Sequence, residues 1–248
     1  MKAHPDHGGA KRPLKTLERV ISKAGLGSRT EARRWIAAGR VHVNGKRIQT
    51  PDFWVDLGRD KVLLDGQPIR AGKRVYFLFY KPTGYLTTYK DPEGRPTIYD
   101  LISALDVRVF PAGRLDLDSS GLLILTNDTQ FAEKLTNPEH KVAKTYQVKA
   151  STLLTDEQID HLRRGVTLSD GPTKPALVKR LRDSAKSTVI EITITEGRNR
   201  QVRRMLEAVG SKVLKLVRTA IGEVHIADLA IGQYRPLLER EVQRLRGR

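Results

Sequence analysis

The sequence contains no cysteine, which excludes disulfide bonds, zinc–thiolate centres, iron–sulfur clusters and thiol nucleophiles. It also lacks a long apolar run. The longest, at residues 75–80, has the length of one strand and is far shorter than the roughly 20 residues that span a bilayer. The first nine residues are polar and lack the apolar region of a secretory signal. We therefore expect a soluble, cytoplasmic protein that does not associate with a membrane.

Acidic residues are scarce, since 28 Asp and Glu stand against 45 Lys and Arg and leave a net charge of +17. Residues 1–74 hold 17 Lys or Arg and 7 Asp or Glu, so most of the surplus lies in the first third. An excess of this size predicts a polyanionic partner, because each phosphate contact releases condensed counterions. The uneven charge also indicates a small basic domain before a larger one.

The small domain is predicted over residues 15–74. It follows a tail at residues 1–14 that has no apolar periodicity and is expected to be disordered. Two histidines in the tail, His4 and His7, are interpreted as solvated residues rather than metal ligands, because no further ligand is near. From Leu17 onwards apolar residues recur at helical spacing, which predicts the first helix of the domain.

A second helix and a hairpin follow in this domain. Ser28 and Glu31 have the spacing of a capping box, and Asn44-Gly45 is a strong hairpin signal between two short strands. The basic side chains of this region are either an ordinary solvated surface or a contact surface for nucleic acid, and the charge of the domain favours the second. The candidates for contact are Arg29, Arg33, Arg34, Arg40, Lys46 and Arg47.

Residues 75–248 mix strands and helices without the regular alternation of a doubly wound sheet. Strands are predicted at 75–80, 121–126, 144–149, 188–195 and 212–218. Helices are predicted after Asp128, between Thr155 and Gly165, and over 200–209. We expect an α+β domain built on a mixed, largely antiparallel sheet.

Two polar segments of this domain are candidates for chemistry. Asp116 and Asp118 lie in the first, at residues 113–123, and are either turn residues or a pair of acid and base groups. The second, at residues 196–205, is a glycine-containing turn that leads into a helix and carries four arginines. A free helix N-terminus with arginines around it is typical of an anion site, although a solvated helix start tolerates the same residues.

The N-terminal domain resembles the S4-like RNA-binding domain, through the order of Gly25, Ser28-Arg29 and a strand followed by Asn44-Gly45. The whole chain from about residue 15 resembles the ribosomal-RNA pseudouridine synthases that carry such a domain before the catalytic one. The motifs of the second domain that carry this resemblance are Tyr80-Lys81-Pro82-Thr83-Gly84, the segments 91–97 and 113–116, Lys144-Thr145-Tyr146, the segment 196–204 and Leu216-Val217-Arg218.

The resemblance implies a structured ribosomal RNA as substrate and a role for particular residues. Asp116 matches the catalytic aspartate, Tyr146 the tyrosine that stacks on the target base, and Arg203 an arginine that pairs with the aspartate. Arg114 is expected to contact RNA beside the extruded nucleotide. Further members of the matching motifs are expected to support the site or to bind RNA: Lys81, Arg198 and Arg200.

The reaction implied is the isomerisation of a uridine to pseudouridine, which requires no metal or cofactor. This agrees with the lack of a Walker A motif or a dinucleotide glycine fingerprint. Residues 91–97 favour large-subunit over small-subunit rRNA as substrate. The alternatives are a non-catalytic rRNA-binding assembly factor and a glycosidase that uses Asp116 and Asp118. We expect the protein to be a monomer.

Overall fold

The computed structural model describes residues 14–56, 58–69 and 73–247. The chain forms two compact units, one ending at Arg74 and the other beginning at Val75. The predicted tail at residues 1–14, with His4 and His7, lies outside the described residues except for its last residue, which is exposed. No helix in the described part of the chain is long and apolar enough to cross a membrane.

The first unit combines two helices with short antiparallel strands. Its elements are β1 (Lys15–Thr16), α1 (Leu17–Lys23), α2 (Arg29–Ala37), β2 (Val41–Val43), β3 (Lys46–Ile48), β4 (Trp54–Val55), β5 (Val62–Leu64) and β6 (Gln67–Pro68). Four strands form a sheet in the order β3-β2-β5-β6, and β1 pairs with β4. Apolar side chains of both helices share one buried core with residues of β2, β4 and β5.

The helix cap and the hairpin turn predicted for this unit are both present. Ser28 Oγ accepts a hydrogen bond from the Glu31 amide at 3.1 Å, and the Glu31 carboxylate accepts one from the Ser28 amide at 2.7 Å. This reciprocal capping box starts α2. Asn44 and Gly45 both have positive φ angles, of 50° and 80°, as a two-residue hairpin turn requires.

The second unit contains the larger sheet. Its elements are β7 (Tyr76–Lys81), α3 (Ile98–Leu101), β8 (Phe110–Pro111), β9 (Ser120–Thr126), α4 (Thr129–Thr136), a 3₁₀ turn (Pro138–His140), β10 (Lys144–Ala150), α5 (Asp156–Arg164), β11 (Thr167–Leu168), β12 (Gly171–Pro172), β13 (Leu177–Ser184), β14 (Ser187–Ile194), α6 (Gln201–Ala208), β15 (Val213–Ile221), β16 (Val224–His225), β17 (Tyr234–Pro236) and α7 (Glu239–Leu245). Asp128 caps α4 as predicted, and Thr155 forms a capping box with Gln158 at the start of α5.

Nine strands form the main sheet of this unit. Seven follow the order β13-β14-β10-β15-β9-β7-β17, while β16 pairs with β15 and β8 with β9. Neighbouring strands are antiparallel except for β15 and β9, which run parallel and bring Arg218 opposite Gly121. The predicted α+β class with a mixed, largely antiparallel sheet is therefore confirmed.

The centre of the sheet is buried on both faces. Along β7 and β9, Leu78 and Leu122 pack with α4 and α7, whereas Phe79 and Leu123 pack in the cluster that contains Ile98 of α3. Helices α5 and α6 share a third cluster with β10 and β14. Successive side chains of β7 and β9 therefore pack into clusters on opposite faces of the sheet. This packing fixes the position of β9 and of the turn that precedes it.

Candidate active site

A cavity of about 340 Å³ opens in the second unit, where three segments separated in sequence meet. They are the turn before β9, the start of strand β10 and the start of helix α6, and strand β15 contributes part of the wall. The predicted site residues that line the cavity are Arg114, Asp116, Tyr146, Arg198 and Arg200. Lys81 and Arg203 are absent from the described residues that line it.

Asp116 lies in the turn that leads into β9. The Ser119 amide donates a hydrogen bond to the Asp116 carbonyl at 3.1 Å, which closes the turn. The Asp116 side chain remains about one-third exposed, and its Oδ2 atom lies 3.7 Å from Nη1 of Arg200. Its neighbour Leu115 is buried, and the Leu115 carbonyl accepts a hydrogen bond from the Thr87 hydroxyl at 2.8 Å. The carboxylate is thus open to the cavity while its backbone is fixed.

Lys81 supports this turn from inside the protein. It is fully buried at the end of β7, and its Nζ atom donates to three carbonyl oxygens, those of Pro82 at 2.9 Å, Asp116 at 3.0 Å and Ser119 at 2.9 Å. Burial lowers the pKa of Lys81 to about 8, although the charges of Asp116 and Asp118 oppose this shift. Lys81 therefore positions the backbone around Asp116, and it does so without reaching the cavity.

The predicted ion pair between Arg203 and Asp116 is wrong. Nη2 of Arg203 instead contacts Asp118, at 3.0 Å from its carbonyl oxygen and 3.2 Å from its carboxylate. The reason is the geometry of the start of α6. Arg200 precedes the helix with a left-handed φ of 47° and reaches both carboxylates, whereas Arg203 lies in the first turn and is buried against the backbone of the Asp116 turn.

Asp118 is therefore tied to two arginines. Burial raises the pKa of its carboxyl, but the hydrogen bond from Arg200 and the charges of Arg203 and Arg200 outweigh burial and hold the pKa below its ordinary value. A carboxyl with this environment is ionised at neutral pH and is unsuited to donate a proton. The turn thus contains two carboxylates in different environments: Asp118 is paired with Arg200 and Arg203, and Asp116 lines the cavity.

Tyr146 lies in β10 and borders the same cavity as Asp116. It is 9% exposed, and its strand register places it opposite Ile192 on one side and Arg218 on the other. Arg114 is exposed beside Asp116 and also lines the cavity. The structure therefore brings the predicted aspartate, tyrosine and arginine to one opening.

Arg198 has a different environment from the one expected. Its guanidinium donates to the carbonyl oxygens of Gly171 at 2.9 Å and Pro172 at 2.5 Å, and it lies 3.5 Å from Asp170. Arg204 pairs with the same Asp170 at 2.8 Å. These contacts hold the β11–β12 hairpin against the start of α6, so much of the hydrogen-bonding capacity of Arg198 is used within the protein.

The basic residues of the first unit differ in their hydrogen-bond and ion-pair partners. Arg29 and Arg33 both pair with the buried Glu18, and Arg40 pairs with Asp65. Hydrogen bonds from Arg33 and the charges of both arginines outweigh burial and hold the pKa of Glu18 below its ordinary range. Two further side chains, Arg34 and Lys46, are exposed, and Arg47 donates to the Ala38 carbonyl.

Sequence reasoning gave no role to Lys144 and Arg218, which the structure places in the cavity wall. Both are nearly buried, with exposures of 9% and 5%. Each lies in a motif that carries the family resemblance, but strand periodicity alone does not tell which face of a strand meets a cavity. For Arg218, the signal available in the sequence was a cation among the mainly apolar residues of β15.

Comparison with known proteins identifies the families that the two units resemble. Residues 75–208 match the model of the RNA pseudouridylate synthase family, and residues 16–60 match the S4 domain. The chain is 42% identical over 235 residues to ribosomal large subunit pseudouridine synthase B of Bacillus subtilis, covering 94% of this chain and 96% of that protein. It is 37% identical over 214 residues to the protein of the same name from Escherichia coli K12, covering 84% and 74%.

A solved structure extends the likeness to the fold. A crystal structure of a pseudouridylate synthase superposes with a TM-score of 0.67 at 31% sequence identity, over 93% of this chain and 99% of that one. The resemblance seen in the sequence motifs is confirmed by these matches. The chain belongs to the RNA pseudouridylate synthase family and carries an S4 domain ahead of its synthase domain.

Proposed function

We propose that the protein converts a uridine of large-subunit ribosomal RNA to pseudouridine, with Asp116 as the catalytic residue and Tyr146 stacking on the extruded base. The observation that carries this proposal is the cavity onto which both side chains open. Its volume of about 340 Å³ falls in the range of small-ligand pockets. The named function of the relatives supports ribosomal RNA, and specifically the large subunit, as the substrate.

The reaction sets three demands on the site. The target nucleotide leaves the RNA stack at a cost of a few kcal/mol, which an aromatic ring such as Tyr146 offsets by stacking. A carboxylate acts as nucleophile or base, and Asp116 can supply it, with Nη1 of Arg200 at 3.7 Å from its Oδ2 atom. The detached base turns while it is held in the cavity, and then C5 bonds to C1′ in place of N1.

Other residues of the turn would keep Asp116 in position. Lys81 donates to the Asp116 carbonyl and Arg203 to the Asp118 carbonyl, and neither lines the cavity in the described part of the chain. The pairing of Asp118 with two arginines favours a single reactive carboxylate over the two-carboxylate arrangement of a glycosidase. A monomeric state and a cytoplasmic location stay predictions from the sequence.

RNA binding is assigned to the S4 domain together with the cavity rim. The exposed Arg34 and Lys46 in the first unit and Arg114 in the second are the cations that we expect to meet phosphates. Arg29, Arg33 and Arg40 have carboxylate partners and are expected to contribute less.

Tritium labelling tests the proposal directly. Large-subunit and small-subunit rRNA, each labelled at uridine C5, are incubated with the protein. A synthase releases tritium and no free base, a glycosidase releases free base, and a binding factor releases neither. Release from large-subunit rRNA alone supports the full proposal, whereas release from small-subunit rRNA alone would overturn the choice of substrate.

A further inference from the structure

Two buried cations, Lys144 and Arg218, lie in the wall of the cavity. Among the described residues neither Lys144 nor Arg218 forms an ion pair, although they are only 9% and 5% exposed. The guanidinium of Arg218 donates from Nε to the Leu122 carbonyl at 2.7 Å, while its buried Nη2 has no hydrogen-bond partner. Burying a charged donor without a partner is costly, so this group points to a ligand that completes its hydrogen bonds.

The backbone places Arg218 beside Tyr146. The two residues are directly opposite in the antiparallel pair of β10 and β15, so their side chains share a face of the sheet. A register shift after Thr145, where Thr219 is the extra residue of β15, sets this pairing. Without the bulge, Tyr146 would face Thr219, and Arg218 would lie on the other face.

The position of Arg218 is further fixed by its parallel neighbour β9. A Cβ atom on Gly121 would come within 2.3 Å of the Arg218 carbonyl oxygen, so only glycine allows the two strands to approach this closely. Lys144 precedes Tyr146 by two residues and therefore lies on the same strand face. Burial, and then the charge of Arg218, lower the pKa of Lys144.

Burial divides four of the five cations that line the cavity among the described residues into two groups. Arg114 and Arg200 are exposed, with 44% of the Arg200 side chain accessible. Arg218 and Lys144 are enclosed beside the tyrosine and are placed to meet the base. A ligand that completes the hydrogen bonds of Arg218 would present an acceptor atom beside Tyr146.

We propose that Arg218 donates a hydrogen bond to a carbonyl oxygen of the flipped uracil and stabilises the negative charge that the ring gains when the N1–C1′ bond breaks. This inference rests on the proposed function, since it takes the base to stack on Tyr146. In the route in which Asp116 attacks C1′, its oxygen bonds to C1′ and the N1–C1′ electron pair passes to the ring.

The product forms when the detached ring bonds to C1′ through C5. The charge of the detached ring spreads over N1, O2 and O4, and a guanidinium is a strong donor to such an oxygen because it stays charged and planar. C5 attacks C1′ and expels the Asp116 carboxylate, the C5 proton passes to solvent and N1 gains a proton. Arg218 acts only by charge and hydrogen bonding, most strongly while the base is detached.

Kinetics of full-length Arg218→Gln and Arg218→Lys test this role. Removing an oxyanion donor lowers kcat by roughly 100- to 1000-fold, so we expect a loss of this size in Arg218→Gln with little change in the Kd for RNA. Arg218→Lys should recover part of kcat. The matched control is Arg182→Gln, an exposed arginine in the edge strand β13, which should keep wild-type kinetics.

A base-analogue series identifies the contacted oxygen. RNAs with 2-thiouridine or 4-thiouridine at the target replace one carbonyl oxygen by sulfur, a weaker acceptor. The ratio of wild-type to Arg218→Gln rates should shrink for one of these RNAs and persist for the other. Equal ratios on the unmodified RNA and on the two thiouridine RNAs would overturn the inference. If Arg218→Gln does not fold, the same series with Arg218→Lys provides the test.

Two further outcomes separate this inference from competing explanations. If Arg218 holds a phosphate instead, Arg218→Gln will keep kcat, bind RNA more weakly and show a salt slope smaller by about one, which would also overturn it. Wild-type protein that releases no tritium from any rRNA contradicts the proposed function itself. Active wild-type protein with an equally active Arg218→Gln variant contradicts only the role of Arg218.

Discussion

Arg203 pairs with Asp118, two residues beyond the aspartate that its motif was expected to serve. The same guanidinium binds the Asp118 carbonyl, while Lys81 binds the carbonyls of Asp116 and Ser119. Two buried cations, one from a strand and one from a helix, therefore hold the backbone of a single turn. Neither cation binds the Asp116 carboxylate, which lines the cavity.

Asp116→Asn should abolish tritium release while the fold and the affinity for RNA persist, because an amide can neither attack as an anion nor take up a proton. The matched control is Asp118→Asn, which has the same chemistry two residues away. The Asp118→Asn variant loses ion pairs that are partly exposed and contribute about 1 kcal/mol. Its activity should therefore stay within about tenfold of wild type. Residual turnover of Asp116→Asn within about tenfold of wild type would contradict the catalytic assignment.

Arg203→Ala should reduce the free energy of unfolding by about 1–3 kcal/mol, since it removes a buried guanidinium that donates to the Asp118 carbonyl. Urea unfolding of a double-mutant cycle locates its partner. Coupling with Asp118→Asn should reach about 0.5 kcal/mol or more, whereas Arg203→Ala and Asp116→Asn should be additive within about 0.5 kcal/mol. The reverse result would restore the pairing expected from the motif.

Lys81→Met should lower stability at pH 7 by about 1–3 kcal/mol, because three carbonyl oxygens lose their donor, and should slow turnover through a looser Asp116 turn. The pKa of Lys81 is lowered to about 8 from an ordinary 10.5. Between these values the unfolded chain binds more protons than the folded one, so the Lys81 contribution to stability rises with pH.

Denaturant unfolding at pH 7 and pH 10 measures this pH dependence. The stability difference between wild type and Lys81→Met should be larger at pH 10. An unchanged difference would show that Lys81 titrates at its ordinary pKa in the folded protein.

Arg34→Ala in the full-length protein should weaken rRNA binding and reduce the slope of log K against log salt by about one, as the loss of one phosphate contact does. Arg40→Ala is the matched control, since the charge of Arg40 is already paired with Asp65 at 2.5 Å and should release fewer counterions. Filter binding over a salt series measures both slopes. Equal slopes in wild type and Arg34→Ala would remove Arg34 from the RNA contact surface.

The sequence determined the features that depend on neighbouring residues. Ser28 with Glu31 and Thr155 with Gln158 form their capping boxes, and Asn44-Gly45 makes its hairpin, because each signal acts within four residues of chain. The apolar runs likewise predicted the central strands and, with the helices between them, the α+β class. Strand β13 was missed because it is an edge strand with mainly exposed, charged residues, which hides the alternation.

Only the tertiary structure decided which side chains meet. The partner of Arg203 depends on where helix α6 starts relative to a turn about 85 residues earlier in the chain, a distance over which no local pattern carries information. The approach of Arg218 to Tyr146 depends on a one-residue bulge in β15 and on a parallel strand that tolerates only Gly121. A shift of one residue in register moves a side chain to the opposite face, so the site exists because the packed sheet selects one register.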